Sequence, residues 1–343
     1  MKYKAIPEWE EPKGIYIINP EVIPITPKFN TRDLLVKFYN EFLYYVIDYA
    51  RINIIINDKS IHVDISVPFE KVNVIYFPTV KDIWIKDWAP ILTRDEKGKT
   101  TAMKFIYSPA YQSISESKNG NKSGKLLALL LKIPVIEVPL ILDGGNFTHN
   151  GEGIGIVTNR VISDNEHYSI KEIKNIFYNY LGIEKLIFIP VEPGDITGHT
   201  DGSVRFINEN SLLVGTYPEI YEESNKLIPQ DEYKESNEHM DRIAKTLKSE
   251  LGKDFRIIRI TNSIPCNSFG KNDFPPAFGN YINFVRLGNS IFLPQYNILE
   301  DYKAIEVFEN NFKDLSIVPV NISGIKELSY EGGVLNCISW ILY

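Results

Sequence analysis

Cys337 stands six residues before Tyr343, behind Gly332 and Gly333, with Val334, Leu335 and Ile338 beside it. A cysteine among branched neighbours reads first as a small buried hydrophobe on a terminal strand. The glycine pair opens a second reading. Gly333 lets a substrate come close to the backbone, which an ordinary core strand does not require, and Cys337 is then a nucleophile. An ordinary thiol, with a pKa near ~8.5, needs a cationic neighbour or a helix end to be a thiolate at neutral pH.

Such a nucleophile needs a proton carrier, and only imidazole titrates near neutrality unperturbed. His199 lies in Gly198-His199-Thr200-Asp201-Gly202, between a run of strand character and the start of another. Two apart on an extended segment, His199 and Asp201 are expected on one side. A metal-binding His-x-Asp or a polar turn is the alternative; His62, His149, His167 and His239 show no metal spacing, so no metal is expected.

Asp87 falls in the aromatic, strand-like stretch Trp84-Ile85-Lys86-Asp87-Trp88-Ala89-Pro90. A buried carboxylate there must be paired. The partner is either Lys86 or Arg94, or a substrate cation gripped through paired N–H donors. Trp84 or Trp88 can then lie along the substrate's stem or its cationic plane, although core packing is the ordinary use of tryptophan. Two acids beside a thiol suit a planar cation better than a carbonyl, whose chemistry asks for an oxyanion hole.

These residues are far apart in the chain, so the elements between them must position them. Helical periodicity covers about 31–50, 121–131, 169–181, 236–252 and 299–313. Thr31, Ser169 and Ser236 supply start signals, and Gly252 a stop. Strand character follows each helix: Arg51–Asn57 with Val72–Pro78, Ile133–Pro139, Lys185–Pro190, Phe255–Thr261 and Leu315–Val320. A polar or Gly-rich knot then recurs, holding Asp87, Asn146, His199 with Asp201, Asn283 and Cys337 in turn.

Asp87 to Asn146 is 59 residues, Asn146 to Asp201 is 55, Asp201 to Asn283 is 82 and Asn283 to Cys337 is 54. That is a repeat with one insertion. Five β-rich units with one helix each leave an open edge if laid flat, and closing them in a ring removes it. The expectation is a single α/β propeller domain over 1–343, with five bladed units and the knots around one cleft. A mixed α/β domain with chance repetition is the alternative. The turn-rich segments Tyr107–Gly124, Thr216–Tyr233 and Asn262–Phe278 are read as loops walling the cleft.

Composition excludes other classes. The chain has 343 residues, 44% hydrophobic and 24% charged, ordinary for a globular protein, with no apolar run long enough to span a bilayer. A net charge of −7 argues against nucleic acid, which asks for a basic stripe. The first ten residues carry no apolar h-region, and Cys266 and Cys337 make at most one disulfide, so reduced thiols and a cytoplasmic location are expected.

At these residues the sequence resembles the agmatine deiminase and bacterial peptidylarginine deiminase family, within the guanidine-modifying superfamily. The resemblance runs in order through Trp84–Pro90, Gly-Gly-Asn at 144–146, Gly-His-x-Asp at 198–201, Tyr-x-Asn at 281–283 and Gly-Gly-x-x-x-Cys at 332–337. It implies the pentein-type, pseudo-fivefold α/β propeller. It also implies Cys337 as nucleophile, His199 as acid and base, and Asp87 and Asp201 as carboxylates holding a guanidinium. Asn283 is implied as a further substrate contact, and Trp84, Asn146 and Gly333 are placed with it in the substrate site. No cofactor is implied, and the partner is a small guanidino compound such as agmatine, or an arginyl peptide. Lys86 stands where the family has Arg, and Asn336 where agmatine deiminases have His before the cysteine.

Rival readings remain at this point. An amidinotransferase or an alkylamine-releasing guanidine hydrolase shares the first covalent step. A cysteine amidase or peptidase would use Cys337, His199 and Asp201 alone, and a binding module would keep the motifs as turns. Oligomeric state is not legible, a homodimer being one option.

Overall fold

Four runs of the chain, and a fifth sheet assembled from its two ends, share one local topology, an antiparallel strand pair followed by a helix and a further strand in the same sheet. The computed structural model describes residues 2–22, 32–61, 63, 67–217, 230–263 and 277–343. Chain order is β1 (Tyr3–Ala5), β2 (Gly14–Ile18), α1 (Arg32–Val46), β3 (Arg51–Ile56), β4 (Val72–Tyr76), α2 (Ile85–Trp88), β5 (Ile91–Asp95), β6 (Thr100–Ile106), α3 (Ile114–Leu130) and β7 (Val135–Ile141). It continues β8 (Thr148–His149), β9 (Ile154–Thr158), α4 (Arg160–Ser163), α5 (Ile170–Leu181), β10 (Lys185–Ile189), β11 (Val204–Asn208), β12 (Ser211–Thr216), α6 (Gln230–Leu251) and β13 (Arg256–Thr261). The last elements are β14 (Val285–Leu287), β15 (Ser290–Pro294), α7 (Leu299–Asn311), β16 (Ser316–Val320), α8 (Ile325–Tyr330) and β17 (Ser339–Leu342).

The sheets run β1-β5-β6-β7, β10-β9-β8, β11-β12-β13, β14-β15-β16 and β17-β2-β3-β4. The pairs β5/β6, β8/β9, β11/β12, β14/β15 and β17/β2 are antiparallel. Crossing through a helix, β7, β10, β16 and β3 lie parallel to their neighbours. A parallel neighbour needs such a crossover, which is why each sheet owns a helix. Each polar knot lies in the link that leaves the sheet's last strand.

The chain divides into two compact units, one of Met1–Pro7, Lys86–Val214 and Glu238–Ile258, the other of Glu8–Ile85, Gly215–Asn237 and Arg259–Tyr343. In the first, α5 shows how the sequence sets an element. Ser169 and Glu172 form a reciprocal capping box, and Gly182 ends the helix at a φ of 70°. Ile173, Ile176, Phe177 and Leu181, one face at helical spacing, are buried with Phe105, Val138, Leu140 and Phe147 of the unit's core. In the second, β3 is an isoleucine run buried along nearly its whole length between β2 and β4, the signature of a central parallel strand.

Four local expectations are corrected. Helix α3 begins at Ile114, behind a Ser113–Glu116 capping box, so most of the loop expected over Tyr107–Gly124 is helical. Its buried face is Ser117, Gly120, Ser123 and Gly124 with Leu127 and Ala128, mostly small residues in place of an apolar stripe. A Cβ on Gly124 would stand 2.1 Å from the Trp88 carbonyl oxygen, so the helix packs too closely for larger side chains. The Trp84–Pro90 stretch contains a helical turn, α2, and is not a strand.

His199 and Asp201 lie in a turn before β11, and Cys337 lies in a turn two residues before β17, so none of the three is on a strand. The segments Thr216–Tyr233 and Asn262–Phe278 fall largely outside the described residues. No described helix is long and apolar enough to cross a membrane.

Candidate active site

The first unit assembles its polar residues around a glycine turn. Asp143-Gly144-Gly145-Asn146 follows β7, and the Gly145 N–H donates to Asp87 Oδ1 at 3.1 Å. The Gly145 carbonyl accepts from the backbone N–H of both Thr200 and Asp201, each at 3.1 Å. One residue thus ties the Asp87 turn to the His199–Asp201 turn. No side chain fits there: a Cβ on Gly145 would lie 2.5 Å from His199 Nδ1 and 2.8 Å from Asp87 Oδ1.

His199 is bracketed by acids. Its Nε2 stands 3.2 Å from Asp143 Oδ2 and its Nδ1 3.7 Å from Asp87 Oδ1. His199, Asp87, Asp143 and Asp201 are all buried. Burial pulls the imidazole's pKa down, but the Asp87, Asp143 and Asp201 charges and the Asp143 hydrogen bond outweigh it and hold the group up at about 10. The ring is an imidazolium at neutral pH.

Asp87 moves up too, to about 7, chiefly by burial, with Asp143 and Asp201 adding to it and His199 and the Gly145 N–H opposing. Both groups cannot keep a proton for the same reason, since they share one field. Asp143 takes the ring's hydrogen bond and Asp87 faces its other nitrogen as the larger charge partner, so one ring serves three buried carboxylates and Asp87 still stands raised. A bound cation would add to that compensation.

Asp143 escaped the sequence reading, which weighed the other end of the same knot. Asn146 is buried there, and its side-chain oxygen accepts from the Thr158 N–H at 2.8 Å, pinning the turn to β9. The signal for Asp143 was its acidic side chain at a recurring knot position. Tyr111, also unforeseen, points its hydroxyl at Asp143 Oδ2 at 3.5 Å, and the Arg160 guanidinium lies 5.8 Å from the Tyr111 ring centre.

The second unit gathers Trp84, Asn283, Gly333 and Cys337. Cys337 is 7% exposed and Asn283 3%. Asn283 Nδ2 donates to Cys337 Sγ at 3.2 Å. A Cβ on Gly333 would lie 2.5 Å from the Trp84 ring and 3.1 Å from Cys337 Sγ, so the glycine gives way to both. Trp84 is half-buried, whereas Trp88 is fully buried in the first unit behind Gly120 and Gly124 of α3. Of the two tryptophans, Trp88 is core.

Comparison with known proteins places this arrangement. The model of the family described as Porphyromonas-type peptidyl-arginine deiminase matches residues 4–342. An agmatine deiminase of Medicago truncatula is 25% identical over 229 residues, 61% of this chain and 58% of that protein. Among solved structures, agmatine deiminase of C. jejuni aligns with a TM-score of 0.80 at 21% identity over 99% of this chain and 96% of its own. A Cys-to-Ser variant of that enzyme with substrate bound aligns at 0.76 and 20% over the same shares. The likeness shows the fold: the α/β propeller expected from the repeat, in the pentein form that the resemblance implied, is the fold of these neighbours.

Proposed function

The chain belongs to the family of Porphyromonas-type peptidyl-arginine deiminases, and from that premise we propose that it is a cysteine-dependent hydrolase converting a guanidinium group to a ureido group with release of ammonia. The observation that carries the reading is the buried His199 ring, held between Asp143 at 3.2 Å and Asp87 at 3.7 Å. An enzyme that must expel ammonia needs an acid already carrying its proton, and a site that must take a planar cation needs buried carboxylate short of compensation.

The Cys337 thiolate attacks the guanidinium carbon, and the C–N bond to the departing nitrogen breaks as His199 gives that nitrogen its proton. The thiouronium adduct stays on Cys337. Neutral His199 then takes a proton from water, the hydroxide adds to the same carbon, and the C–S bond breaks as the added hydroxyl gives its proton to solvent, where the released ammonia takes it up, leaving the ureido product and the thiolate. Asp87 and Asp201 orient the cation and offset its charge. Asp143 holds the ring by Nε2, and its Oδ1, buried and without a hydrogen-bond partner among the described residues, is a further acceptor for substrate N–H.

In this reading Trp84 flanks the substrate, Gly333 lets it approach, and Asn146 acts by holding the Gly145 turn. Residues 1–343 work as one domain in the cytoplasm. A small agmatine-like guanidine is supported as substrate by the relatives' names, and an arginyl peptide is less so.

An ammonia-release screen over agmatine, free arginine, methylated arginines and an arginyl peptide tests it, with Cys337→Ala as blank. The expected result is release from one class, absent in the blank. Release of an alkylamine, transfer of the amidino group to an added amine, or a blank as active as the wild type would overturn it.

A further inference from the structure

Arg160 opens α4, just after β9, and its guanidinium reaches 36 residues along the chain to donate to the Ile196 carbonyl, shortly before His199. Its stem runs under Gly198, which has a φ of 64° and where a Cβ would stand 2.6 Å from Arg160 Cδ. Arg160 Nε is fixed by Asp164 Oδ2, one helical turn on, at 3.3 Å. With 15% and 25% of the two side chains exposed, this is not the solvated surface pair that contributes little.

The same guanidinium lies 5.8 Å from the Tyr111 ring centre, and Tyr111 turns its hydroxyl to Asp143 Oδ2, the oxygen that faces His199 Nε2. Arg160 thus touches both the backbone that leads to the imidazole and the aromatic beside the imidazole's acid. Its chain neighbours tie the same seam. Thr158 Oγ1 donates to the Gly198 carbonyl at 2.6 Å, and the Val191 N–H donates to Asn159 Oδ1 at 3.3 Å. Beyond His199, the Thr200 and Asp201 N–H groups are held by the Gly145 carbonyl. His199 stands between these two anchorages.

From this geometry we infer that Arg160 is a positioning residue for His199, clamping the approach to its turn so that the imidazole stays against Asp143 and Asp87. The inference rests on the reading of His199 as the acid but needs no turnover to be tested. Its sign separates it from plain electrostatics. Arg160 is a cation that compensates Asp164, and the Asp164 carboxylate is within reach of the His199 charge. Removing Arg160 takes away a positive charge and uncovers a negative one, and both changes favour the imidazolium. Loss of position acts the other way: Asp87, Asp143 and Asp201 hold the ring at about 10, and it falls towards its ordinary range on leaving them.

The test is the His199 titration, followed without substrate by histidine-selective nitrogen-15 spectra in the wild type, Arg160→Met and Arg160→Lys. The His199 signal is assigned by its loss in His199→Gln. Methionine keeps a stem against Gly198 but has neither donor nor charge. The midpoint is expected to fall by about one unit or more in Arg160→Met. It should fall by less in Arg160→Lys, whose ammonium lacks the planar fork that serves Ile196, Asp164 and the Tyr111 face together. An unchanged or higher midpoint in folded Arg160→Met would overturn the inference.

If Arg160→Met does not fold, Arg160→Lys decides. It keeps the charge, so a fall there reports position, and an unchanged midpoint overturns the inference equally. Ammonia release is measured separately, so a protein that deiminates nothing while the midpoint falls refutes the proposed activity and leaves Arg160 in its role.

Discussion

The two polar clusters handle charge by opposite means. Around His199 three buried carboxylates gather at one ring, and the charges of Asp143 and Asp201 push both His199 and Asp87 up. At Cys337 a carboxamide, that of Asn283, lies against the sulfur, and the backbone N–H groups of Asn336 and Cys337 donate to its oxygen. Proton transfer and cation binding need fields strong enough to move pKa values by several units, while a sulfur nucleophile needs a fixed place and a donor without repulsion. Each cluster is built where a glycine leaves no room for a side chain, Gly145 in one and Gly333 in the other.

The sharpest way to break this division is Gly145→Ala. The new methyl would stand 2.5 Å from His199 Nδ1 and 2.8 Å from Asp87 Oδ1, and neither group can yield without leaving its partners. A displacement near 1 Å costs about 10²-fold, so kcat/KM for ammonia release is expected to fall at least that far. The pH midpoint of Cys337 alkylation should stay where it is. A matching shift in alkylation would show that the clusters are not separable.

Asp87→Asn comes next. Asp87 is raised to about 7, so it loses its charge, and with it its hold on a cation, as pH falls through that value. KM is therefore expected to rise below about pH 7 in the wild type, and kcat/KM to fall above about pH 10 as His199 gives up its proton. Asp87→Asn should raise KM about 10- to 10²-fold at pH 8, erase the acid limb and move the alkaline one down, because the Asp87 charge is the largest of those holding His199 up. Persistence of the acid limb in the variant assigns it to another group.

What the sequence made legible was periodic or positional. Alternating strands, capped helices and the spacing of the knots led to the five sheets, because these follow from local chemistry repeated at a near-constant interval. Helix α3 was half hidden because close packing replaced its apolar stripe with Gly120, Gly124 and two serines, which read as turn residues. His199 and Asp201 were expected side by side on an extended segment, whereas the structure puts them in a turn whose Thr200 and Asp201 N–H groups donate to the Gly145 carbonyl. Asp143 was missed because its partner is 56 residues away, and an acidic side chain at a knot position does not by itself announce that it supports an imidazole. Whether Cys337 was core or nucleophile was equally open, since burial is compatible with both.

Gly333→Ala probes the neutral cluster with a smaller expected effect. Its Cβ would meet the Trp84 ring edge at 2.5 Å and the Cys337 Cβ at 3.0 Å, but a half-buried indole can swing outward where a bracketed imidazole cannot. Overpacking of this kind costs about 1–3 kcal/mol, read as a lower urea midpoint at unchanged slope. Loss of alkylation with unchanged stability would mean that the sulfur moved instead of the ring.

Tyr111→Phe is expected to do least, and its smallness is informative. The hydroxyl reaches Asp143 Oδ2 at 3.5 Å, the outer limit of a hydrogen bond, and that oxygen already faces His199 at 3.2 Å. Burial, then the Asp143 and Asp87 charges, raise the phenol well above its usual range, so it remains a neutral donor throughout the working pH. Removing it while keeping the ring beside Arg160 should cost at most about 0.5 kcal/mol, roughly twofold in kcat/KM. A tenfold loss with a downward shift of the alkaline limb would mean that Asp143 depends on Tyr111 to stay in place, and the charged cluster would then extend one residue further than its short contacts mark.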